Sequence, residues 1–428
     1  MSDDVVYIDA RKPENKTEKR LVTGEKFDEG GMSLLMEAVD TNLLRRIAMK
    51  IMRDDKINDE YELSRMVTEA QITAQLDHPN IIPIYELGID KKKRLFFTMK
   101  KVQGKVLYEL INEKALSSRT DKDILRLIQI MLKVCDAVSY AHSKGVLHRD
   151  LKPDNVMVGN FGQVYLMDWG IARLKSNGDA ALAGIDLSRI KKRKQYSVRE
   201  ETQGNIFGTP CYMSPEQARG DLEDIDERSD VFSLGAILYE ILTGTPPIPG
   251  DTLRDMVINA RMGEIPPPDE RVDFPLPLGL VRITIKAMNR DPADRYQSVE
   301  EFKNDLEDFL EGSERFPGRT YRPGALIVRE GDTGEEAYII RSGECRAFKT
   351  INGEKVELRI MGVGDVFGEL AILTDKQRSA SVEAVSNVTV AVVKSQYFEE
   401  ELQTGSWLGP FIRTLAERFR EADQRANH

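Results

Sequence analysis

The sequence predicts an α+β protein in which a small sheet-rich lobe, a larger helical lobe and a β jelly roll follow one another. The first lobe is indicated by apolar residues that alternate in short runs between Leu21 and Lys100, as in half-buried strands. The second lobe is indicated by helical spacing of apolar residues from Gly104 to about Leu310. From Thr320 onward, short alternating strands recur between glycine turns, which is typical of an antiparallel barrel or jelly roll.

Composition and charge exclude several classes of protein. The chain has 428 residues, enough for two or three domains, and its hydrophobic fraction of 41% and charged fraction of 31% are ordinary for a globular protein. A formal net charge of −10 argues against a general nucleic-acid-binding surface. Cys135, Cys211 and Cys345 lie far apart without metal-ligand spacing, which favours a reducing, cytoplasmic compartment.

The sequence contains no predicted membrane segment. Residues 1–20 are polar and mixed in charge, so they are expected to form a flexible tail and not a signal peptide. The longest apolar stretch, from Val231 to Leu242, is too short to span a bilayer. These features predict a soluble protein.

The elements of the first lobe can be placed in order. Leu21 to Lys50 has a strand–turn–strand pattern around a pair of glycines, and the second strand, RRIAMKIM, carries Lys50. A helix from about Asp59 to Leu76 contains Glu69 and ends where a histidine and a proline break its pattern. The runs IIPIYELG and RLFFTMK predict two further strands.

The stretch HRDLKPDN, from His148 to Asn155, follows a run of apolar residues with helical spacing and is expected to form a loop. Asp150 can accept a proton, Lys152 supplies positive charge and Asn155 supplies an oxygen ligand, which is the set that phosphoryl transfer requires. A solvated polar turn is the alternative interpretation. The uninterrupted stretch, however, resembles the catalytic loop of Hanks-type serine/threonine protein kinases.

This resemblance implies a two-lobed protein-kinase fold over residues 21–312, which would bind ATP and Mg²⁺ and act on protein substrates. Asp150 would act as the base or orient the acceptor hydroxyl. Lys152 would stabilise the phosphoryl group during transfer.

The resemblance also implies roles for charged residues outside the loop. Lys50, in IAMK, would neutralise the phosphates of ATP and would be held by an ion pair with Glu69; Glu62 is the alternative partner. Asp168, in MDWG, stands where the family has the aspartate of D-F-G. Together with Asn155, it would hold magnesium.

Further positions support the same resemblance. Trp169 replaces the usual phenylalanine of D-F-G and is expected to fill the same apolar position. The stretch GTPCYMSPE resembles the segment that ends in A-P-E, and its Thr209 is typical of kinases that phosphorylate serine or threonine. By the same resemblance, Asp230 would brace the catalytic loop and Arg295 would pair with Glu216.

The glycine-rich loop departs from the family pattern G-x-G-x-x-G-x-V. Only Gly30 is retained, because Asp28 and Ser33 replace the other two glycines, although Leu35 can still cap an adenine ring. Side chains at these positions obstruct the approach of backbone amides to phosphates, so weaker ATP binding is expected. The other nucleotide-binding positions that the resemblance implies are Ala48 and Met99.

The segment from Asp168 to Glu216 is long for an activation segment, at 49 residues. It contains the basic run KKRK at positions 191–194, which is either a solvated face of a disordered insert or part of a segment that phosphorylation orders. A phosphate on Thr202 would pair with Arg149 and order the segment. The hydroxyl residues in the insert are Ser188, Ser197 and Thr202.

A second dense motif, FGELAIL followed by QRSASV, lies within Phe367–Val382 and presents groups suited to a cyclic phosphate and a ribose. Gly368 presents backbone amides, Glu369 can accept from a ribose hydroxyl, and Arg378 offers a forked donor to phosphate. Ser379 adds a hydroxyl that could reach the phosphate or a guanine amino group.

The motif resembles the phosphate-binding cassette of cyclic-nucleotide-binding domains, which implies such a domain over residues 313–428. Helices are expected at 396–403 and 407–424. A jelly roll that has lost its ligand is the alternative. The motif favours cAMP slightly and leaves cGMP open.

Taken together, the motifs predict a serine/threonine kinase that a cyclic nucleotide regulates through the C-terminal domain. Two alternatives are a catalytically silent scaffold and a cyclic-nucleotide sensor without kinase activity. The substituted glycine-rich loop favours these alternatives, whereas the complete set of charged catalytic residues favours an active enzyme.

Overall fold

The computed structural model of the 428-residue chain describes residues 20–174, 208–274, 276–315, 318–351, 353–369 and 377–394. It divides into two compact units, Met1–Leu306 and Glu307–His428. The first unit contains a sheet-rich lobe and a helical lobe, whereas the described part of the second is built mainly of strands, so the fold is α+β as predicted. In the ranges given above, no helix is long and apolar enough to cross a membrane.

The sheet-rich lobe consists of one antiparallel sheet and one long helix. Its elements are β1 Leu21–Glu29, β2 Ser33–Asp40, β3 Arg45–Met52, α1 Glu60–Gln75, β4 Ile84–Ile89 and β5 Leu95–Lys100. The strand order is β1-β2-β3-β5-β4, and the central strand β3 is buried from Ile47 to Met52. Helix α1 begins where the Asp59 side chain accepts from a backbone amide of the first turn. Its Met66 and Ala70 pack against Phe97, so α1 covers the sheet.

The sequence predicts two strands between Leu21 and Lys50, whereas the structure has three. The additional reversal is the turn at residues 41–44 between β2 and β3, where Leu44 has a φ of 51°. This turn lacks glycine and proline, which would have marked it in the sequence. The Asp40 side chain instead stabilises it by accepting hydrogen bonds from two of its amides.

The helical lobe is centred on two long helices and contains several short strands. Its helices are α2 Leu107–Ile111, α3 Asp121–Ser143, α4 Pro215–Arg219, α5 Glu227–Thr243, α6 Leu253–Met262, α7 Leu278–Ala287 and α8 Val299–Arg315. Its strands are β6 Gly104–Val106, β7 Val146–Leu147, β8 Val156–Gly159, β9 Val164–Leu166 and β10 Arg173–Leu174. Helix α5 is buried from Ser229 to Thr243, because it is apolar on nearly every face. It ends at Gly244, whose φ of 70° favours glycine.

The second unit contains two four-stranded antiparallel sheets with one shared core. Its strands are β11 Gly318–Tyr321, β12 Leu326–Val328, β13 Glu336–Ser342, β14 Cys345–Ile351, β15 Glu354–Met361, β16 Val366–Phe367, β17 Ser381–Ala384 and β18 Val388–Lys394. The sheet orders are β11-β18-β13-β16 and β12-β17-β14-β15. Ile340 and Val390 from the first sheet and Cys345 and Val382 from the second form part of the core. This arrangement agrees with the predicted jelly roll.

Some predictions concern residues beyond the described ranges. Both the division after Leu306 and the predicted boundary after residue 312 fall within α8, and two residues separate the end of α8 from β11. The flexible tail up to residue 19 lies outside the described residues. The same holds for the basic run and three hydroxyl residues of the insert, for the middle of the second motif at 370–376, and for both C-terminal helices.

Candidate functional site

The predicted catalytic loop lies between β7 and β8 and is bound to helix α5 through Asp230. The buried Asp230 carboxylate accepts hydrogen bonds from the amides of His148 and Arg149 at 2.9 and 2.8 Å. Its Oδ2 also lies 2.7 Å from Nε2 of His142. Arg149 has a φ of 69°, which is unfavourable for a residue with a side chain and persists where the surroundings impose it. The predicted bracing contact of Asp230 is therefore confirmed.

The ring of His148 joins this loop to Met167, the residue that precedes Asp168. Its Nδ1 accepts from the amide of Asp150 at 3.2 Å, and its Nε2 donates to the carbonyl of Met167 at 3.2 Å. Burial lowers the pKa of His148, so the ring is neutral and can both donate and accept. Trp169 is fully buried with its ring centroid 4.5 Å from that of His148, which confirms that the tryptophan fills a buried position.

The side chains of Lys152 and Thr209 both contact the carboxylate of Asp150. Lys152 Nζ donates to Asp150 Oδ2 at 3.0 Å and to Thr209 Oγ1 at 2.7 Å. Thr209 Oγ1 in turn donates to Asp150 Oδ1 at 2.8 Å. Both oxygens of the Asp150 carboxylate are therefore oriented by neighbours, one from the same loop and one from 59 residues further along the chain.

Lys50, on β3, forms the predicted ion pair with Glu69, on α1. The Nζ–Oε1 distance is 2.6 Å, and Nζ lies 3.9 Å from Oδ1 of Asp168. Burial raises the pKa of Glu69 to about 7, against the effect of the nearby lysine. Burial alone would lower the pKa of Lys50, but the two carboxylates raise it, so the lysine is charged. Glu62, the alternative partner, pairs instead with Arg65 at 3.4 Å.

Asn155 and Asp168, the predicted metal ligands, are brought close together by the backbone, because the amide of Met167 donates to the carbonyl of Asn155 at 2.9 Å. The side-chain nitrogen of Asn155 donates to the backbone carbonyl of Asp150 at 2.8 Å, so its side-chain oxygen is the group that remains as a ligand. Lys50 lowers the pKa of Asp168, whose side chain is 42% exposed. An amide oxygen and an ionised carboxylate are donors that suit Mg²⁺, so these residues fit the ion.

The predicted nucleotide-binding residues are brought together by strand register. Leu35 on β2 lies opposite Lys50 on β3, and Ala48 on β3 lies opposite Met99 on β5. Ala48 is buried, whereas Leu35 and Met99 are partly exposed. Gly30 occupies the turn that joins β1 to β2. Leu35, Ala48 and Met99 thus lie on neighbouring strands, one of which carries Lys50 of the buried Lys50–Glu69 pair.

The turn and its flanking residues, 28–35, form what we call the glycine-rich hairpin. Asp28 is exposed, and its Oδ1 accepts from the amide of Glu29 at 2.8 Å. The Glu29 carboxylate lies 2.7 Å from Nζ of Lys26 and 2.7 Å from Nη1 of Arg53. The hydrogen bond from Lys26 lowers the pKa of Glu29, so this carboxylate stays ionised. The hairpin is therefore linked to the end of β3 by charged side chains at its surface.

In the second unit, Arg378 and Gly368 of the predicted cassette are in contact. Arg378 is 8% exposed, and its Nη1 donates to the carbonyl of Gly368 while its Nη2 donates to the carbonyl of Glu336 at 2.6 Å. Gly368 has a φ of 80°, which favours glycine. Glu369 follows it and is half-buried, whereas Ser379 is exposed.

Comparisons with known proteins agree with this geometry. The protein kinase domain model matches residues 21–305, which is more than half of the chain. The chain belongs to the protein kinase family. The cyclic nucleotide-binding domain model matches residues 318–404, so the kinase domain is followed by a cyclic nucleotide-binding domain.

The curated relatives are bacterial kinases. The chain is 36% identical over 298 residues to serine/threonine-protein kinase PknD of Protochlamydia amoebophila, which covers 67% of this chain and 30% of that protein. It is 36% identical over 301 residues to probable serine/threonine-protein kinase PknB of Bifidobacterium longum, covering 68% and 40% respectively. The chain therefore spans less than half the length of these two relatives.

Sequence reasoning did not find every contact around the two sites of this kinase family member. It identified Thr209 as typical of the family, but not its hydrogen bonds to Asp150 and Lys152. It also missed the ion pair of Glu29 with Arg53 and the contact of Arg378 with the carbonyl of Glu336. The sequence signal for these contacts is the glycines near the residues involved, because a glycine often marks a close approach of the backbone.

Proposed function

We propose that the chain transfers the γ-phosphoryl group of ATP to serine or threonine hydroxyls of proteins. The observation that carries this proposal is the oriented Asp150 carboxylate, whose two oxygens are contacted by Lys152 and Thr209. The buried ion pair of Lys50 with Glu69 supports it, because it provides a fixed positive charge for nucleotide phosphates.

In this proposal, Asp150 accepts the proton of the substrate hydroxyl as the hydroxyl oxygen bonds to the γ-phosphorus and ADP departs. Lys152 lies beside that carboxylate and stabilises the negative charge on the phosphoryl group. Because Thr209 donates to Oδ1, it keeps the carboxylate in one orientation. Lys50 would contact the nucleotide phosphates, since the hydrogen bond from its Nζ to Glu69 Oε1 holds its side chain in place.

Asn155 and Asp168 would hold Mg²⁺, which when bound neutralises charge on the ATP phosphates. In the part of the chain that the structure describes, no group of three or more histidine, cysteine, aspartate or glutamate side chains could hold a metal ion. We therefore propose that phosphate and water oxygens complete the coordination. The residues of the chain contribute one carboxylate and one amide oxygen.

The test is transfer of labelled phosphate from ATP, in the presence of Mg²⁺, to the chain itself and to generic protein substrates. The Asp150→Asn variant should bind ATP like the wild type and transfer phosphate roughly 10²–10⁴-fold more slowly. A wild type that transfers no faster than this variant would favour the scaffold interpretation. That interpretation draws on the substituted glycines of the glycine-rich hairpin.

We further propose that a purine cyclic mononucleotide binds the second domain and regulates the kinase domain. The support is the family match and the buried Arg378 guanidinium beside Gly368. Calorimetry with cAMP and with cGMP should detect binding to the wild type and none to Arg378→Ala. Kinase assays with the nucleotide that binds should then show a change in rate, whereas unchanged rates would contradict regulation.

The proposal places the protein in the cytoplasm, where ATP is available. It is supported by the three cysteines at positions 135, 211 and 345, none of which forms a disulfide. Free thiols are usual in a reducing compartment.

A further inference from the structure

Residues 331–336 comprise the end of the connection between β12 and β13 and the first residue of β13, and they contact the backbone of Arg378. The amide of Gly331 donates to the carbonyl of Arg378 at 2.9 Å, and the amide of Arg378 donates to the carbonyl of Asp332 at 2.8 Å. Two backbone hydrogen bonds between the same short stretches resist displacement of either one. We call residues 331–336 the Arg378 cradle.

The cradle also contacts the guanidinium group. The carbonyl of Glu336 accepts from Nη2 at 2.6 Å, and the carbonyl of Gly368 accepts from Nη1 on the other side. An arginine side chain has five N–H donors, so these two bonds to carbonyls of described residues leave three donors for acceptors outside that set. The two carbonyls therefore fix the plane of the guanidinium of Arg378 without using all of its capacity for a phosphate.

Glu336 is itself held in place, so its carbonyl is a stable acceptor. Its carboxylate accepts from Nη1 and Nη2 of Arg319 at 3.0 and 3.2 Å, and from the hydroxyl of Tyr338 at 2.9 Å. A paired, two-point contact of this kind restricts the direction of both side chains.

Gly334 packs directly against the guanidinium group of Arg378. A Cβ atom added at Gly334 would overlap Cζ, Nε and Nη2 of Arg378. The backbone of Gly334 is not in the left-handed region that favours glycine, so the steric conflict with Arg378 is what excludes a side chain. Gly368 differs, because it combines a φ of 80° with a Cβ position 2.7 Å from Nη1.

We propose that the Arg378 cradle is the positioning element of the cyclic nucleotide site, and that Gly334 sets the location of the guanidinium by leaving the space that it occupies. The proposal rests on the proposed cyclic nucleotide binding of the second domain. A methyl group at position 334 displaces the guanidinium from the carbonyls of Glu336 and Gly368. The arginine then no longer presents its remaining donors to a phosphate in a fixed geometry.

The test compares Gly334→Ala with Gly362→Ala in the full-length protein. Gly362 is a matched control, because it lies in the same domain, is not in the left-handed region, and has open space around its Cβ position. Calorimetry with cAMP and with cGMP should show binding at least about tenfold weaker for Gly334→Ala, and within about twofold of the wild type for Gly362→Ala. Binding by Gly334→Ala as tight as that of the wild type would overturn the proposal.

A double-mutant cycle separates positioning of Arg378 from a general defect. Hydrogen exchange of the cradle amides should become faster in Gly334→Ala, because the displaced arginine loosens the cradle. In the Arg378→Ala background, the same glycine substitution should change the exchange little, since there is no guanidinium to displace. Equal acceleration in both backgrounds would overturn the proposal. If the wild type bound neither nucleotide, the proposed function of the domain would fail, while the exchange cycle would still report whether Gly334 places Arg378.

Discussion

The catalytic loop at His148–Asn155 and the glycine-rich hairpin both serve phosphoryl transfer in our proposal, yet they are stabilised differently. The catalytic loop is largely buried, and His148, Arg149 and Asn155 are each less than 9% exposed. Its backbone is held by the buried carboxylate of Asp230. The hairpin strand β1 is exposed along nearly its whole length, and the side-chain contacts of the hairpin tip are ion pairs at the surface.

The catalytic loop and the hairpin are therefore expected to tolerate substitutions differently. A buried charge that loses its partner destabilises the folded state strongly. Substitutions near the catalytic loop are therefore expected to have large effects on stability and rate. Exposed ion pairs contribute little to the stability of the folded state, because water screens the attraction between the charges. We therefore expect substitutions in the hairpin to change the affinity for ATP and to leave the chemical step nearly unchanged.

The largest expected effect is that of Asp230→Asn. The amide cannot supply the negative charge that the two backbone amides and His142 contact, so the free energy of unfolding should fall by about 3 kcal/mol. Chemical denaturation measures this value. Asp226→Asn is the matched control, because it changes an acid at the N-cap of the same helix, where asparagine is also a good cap. Equal stability of the two variants would contradict a bracing role for Asp230.

The difference in stability between the wild type and Asp230→Asn is expected to depend on pH. Burial alone would raise the pKa of Asp230, but the hydrogen bonds from His142 and from the Arg149 amide lower it below its usual value of 3.8. A carboxyl group whose pKa is lower in the folded state stabilises that state above its unfolded pKa and loses this effect as the pH falls through the folded value. The stability difference between wild type and Asp230→Asn should therefore be full near neutral pH and shrink below about pH 4. A difference that stayed constant down to pH 3 would contradict this assignment.

A smaller effect is expected for Thr209→Val, which removes the hydroxyl that donates to Oδ1 of the Asp150 carboxylate. Loss of one hydrogen bond to a charged group corresponds to a decrease in turnover of roughly 10- to 100-fold. Steady-state kinetics should show this decrease in kcat with little change in the KM for ATP. Thr209→Ser keeps the hydroxyl and should retain most of the activity; a serine variant as slow as the valine variant would show that the hydroxyl is not the group that matters.

A still smaller effect is expected when the glycines of the hairpin are restored. The double substitution Asp28→Gly and Ser33→Gly should lower the KM for ATP by roughly threefold to tenfold and change kcat less, because it removes obstruction at the phosphates and leaves the catalytic groups in place. The Ser33→Ala variant removes the hydroxyl and keeps the Cβ atom, so it shows which of the two affects the KM for ATP. An unchanged KM in the double variant would show that these side chains do not obstruct ATP.

The smallest effect is expected for Glu29→Gln, which removes the charge shared by Lys26 and Arg53 at the surface of the hairpin. Exposed ion pairs of this kind are weak, so the KM for ATP should change by less than about threefold. Arg53→Gln should give a similar result, and its combination with Glu29→Gln should add nothing further. A change above tenfold would mean that this ion pair holds the hairpin over the nucleotide, and the contrast with the catalytic loop would disappear.

The sequence alone determined the family and the order of the domains. Each of three motifs lies within one short stretch of sequence: HRDLKPDN, MDWG and the second motif around Gly368. Each combines residue types whose chemistry can be recognised without a structure. The pairing of Glu216 with Arg295 also followed from the family resemblance, and the structure confirms it at 2.8 Å between Oε1 and Nη1.

Other features depended on tertiary structure, because they join residues that are distant along the chain. Thr209 reaches Asp150 across 59 residues, and Arg378 reaches the carbonyl of Glu336 across 42. One of the three strands between Leu21 and Met52 was missed, because the turn between β2 and β3 is stabilised by the Asp40 side chain instead of a glycine or proline. Gly334 was missed for the same physical reason: its importance comes from the guanidinium that folding brings against it, which local sequence patterns do not encode.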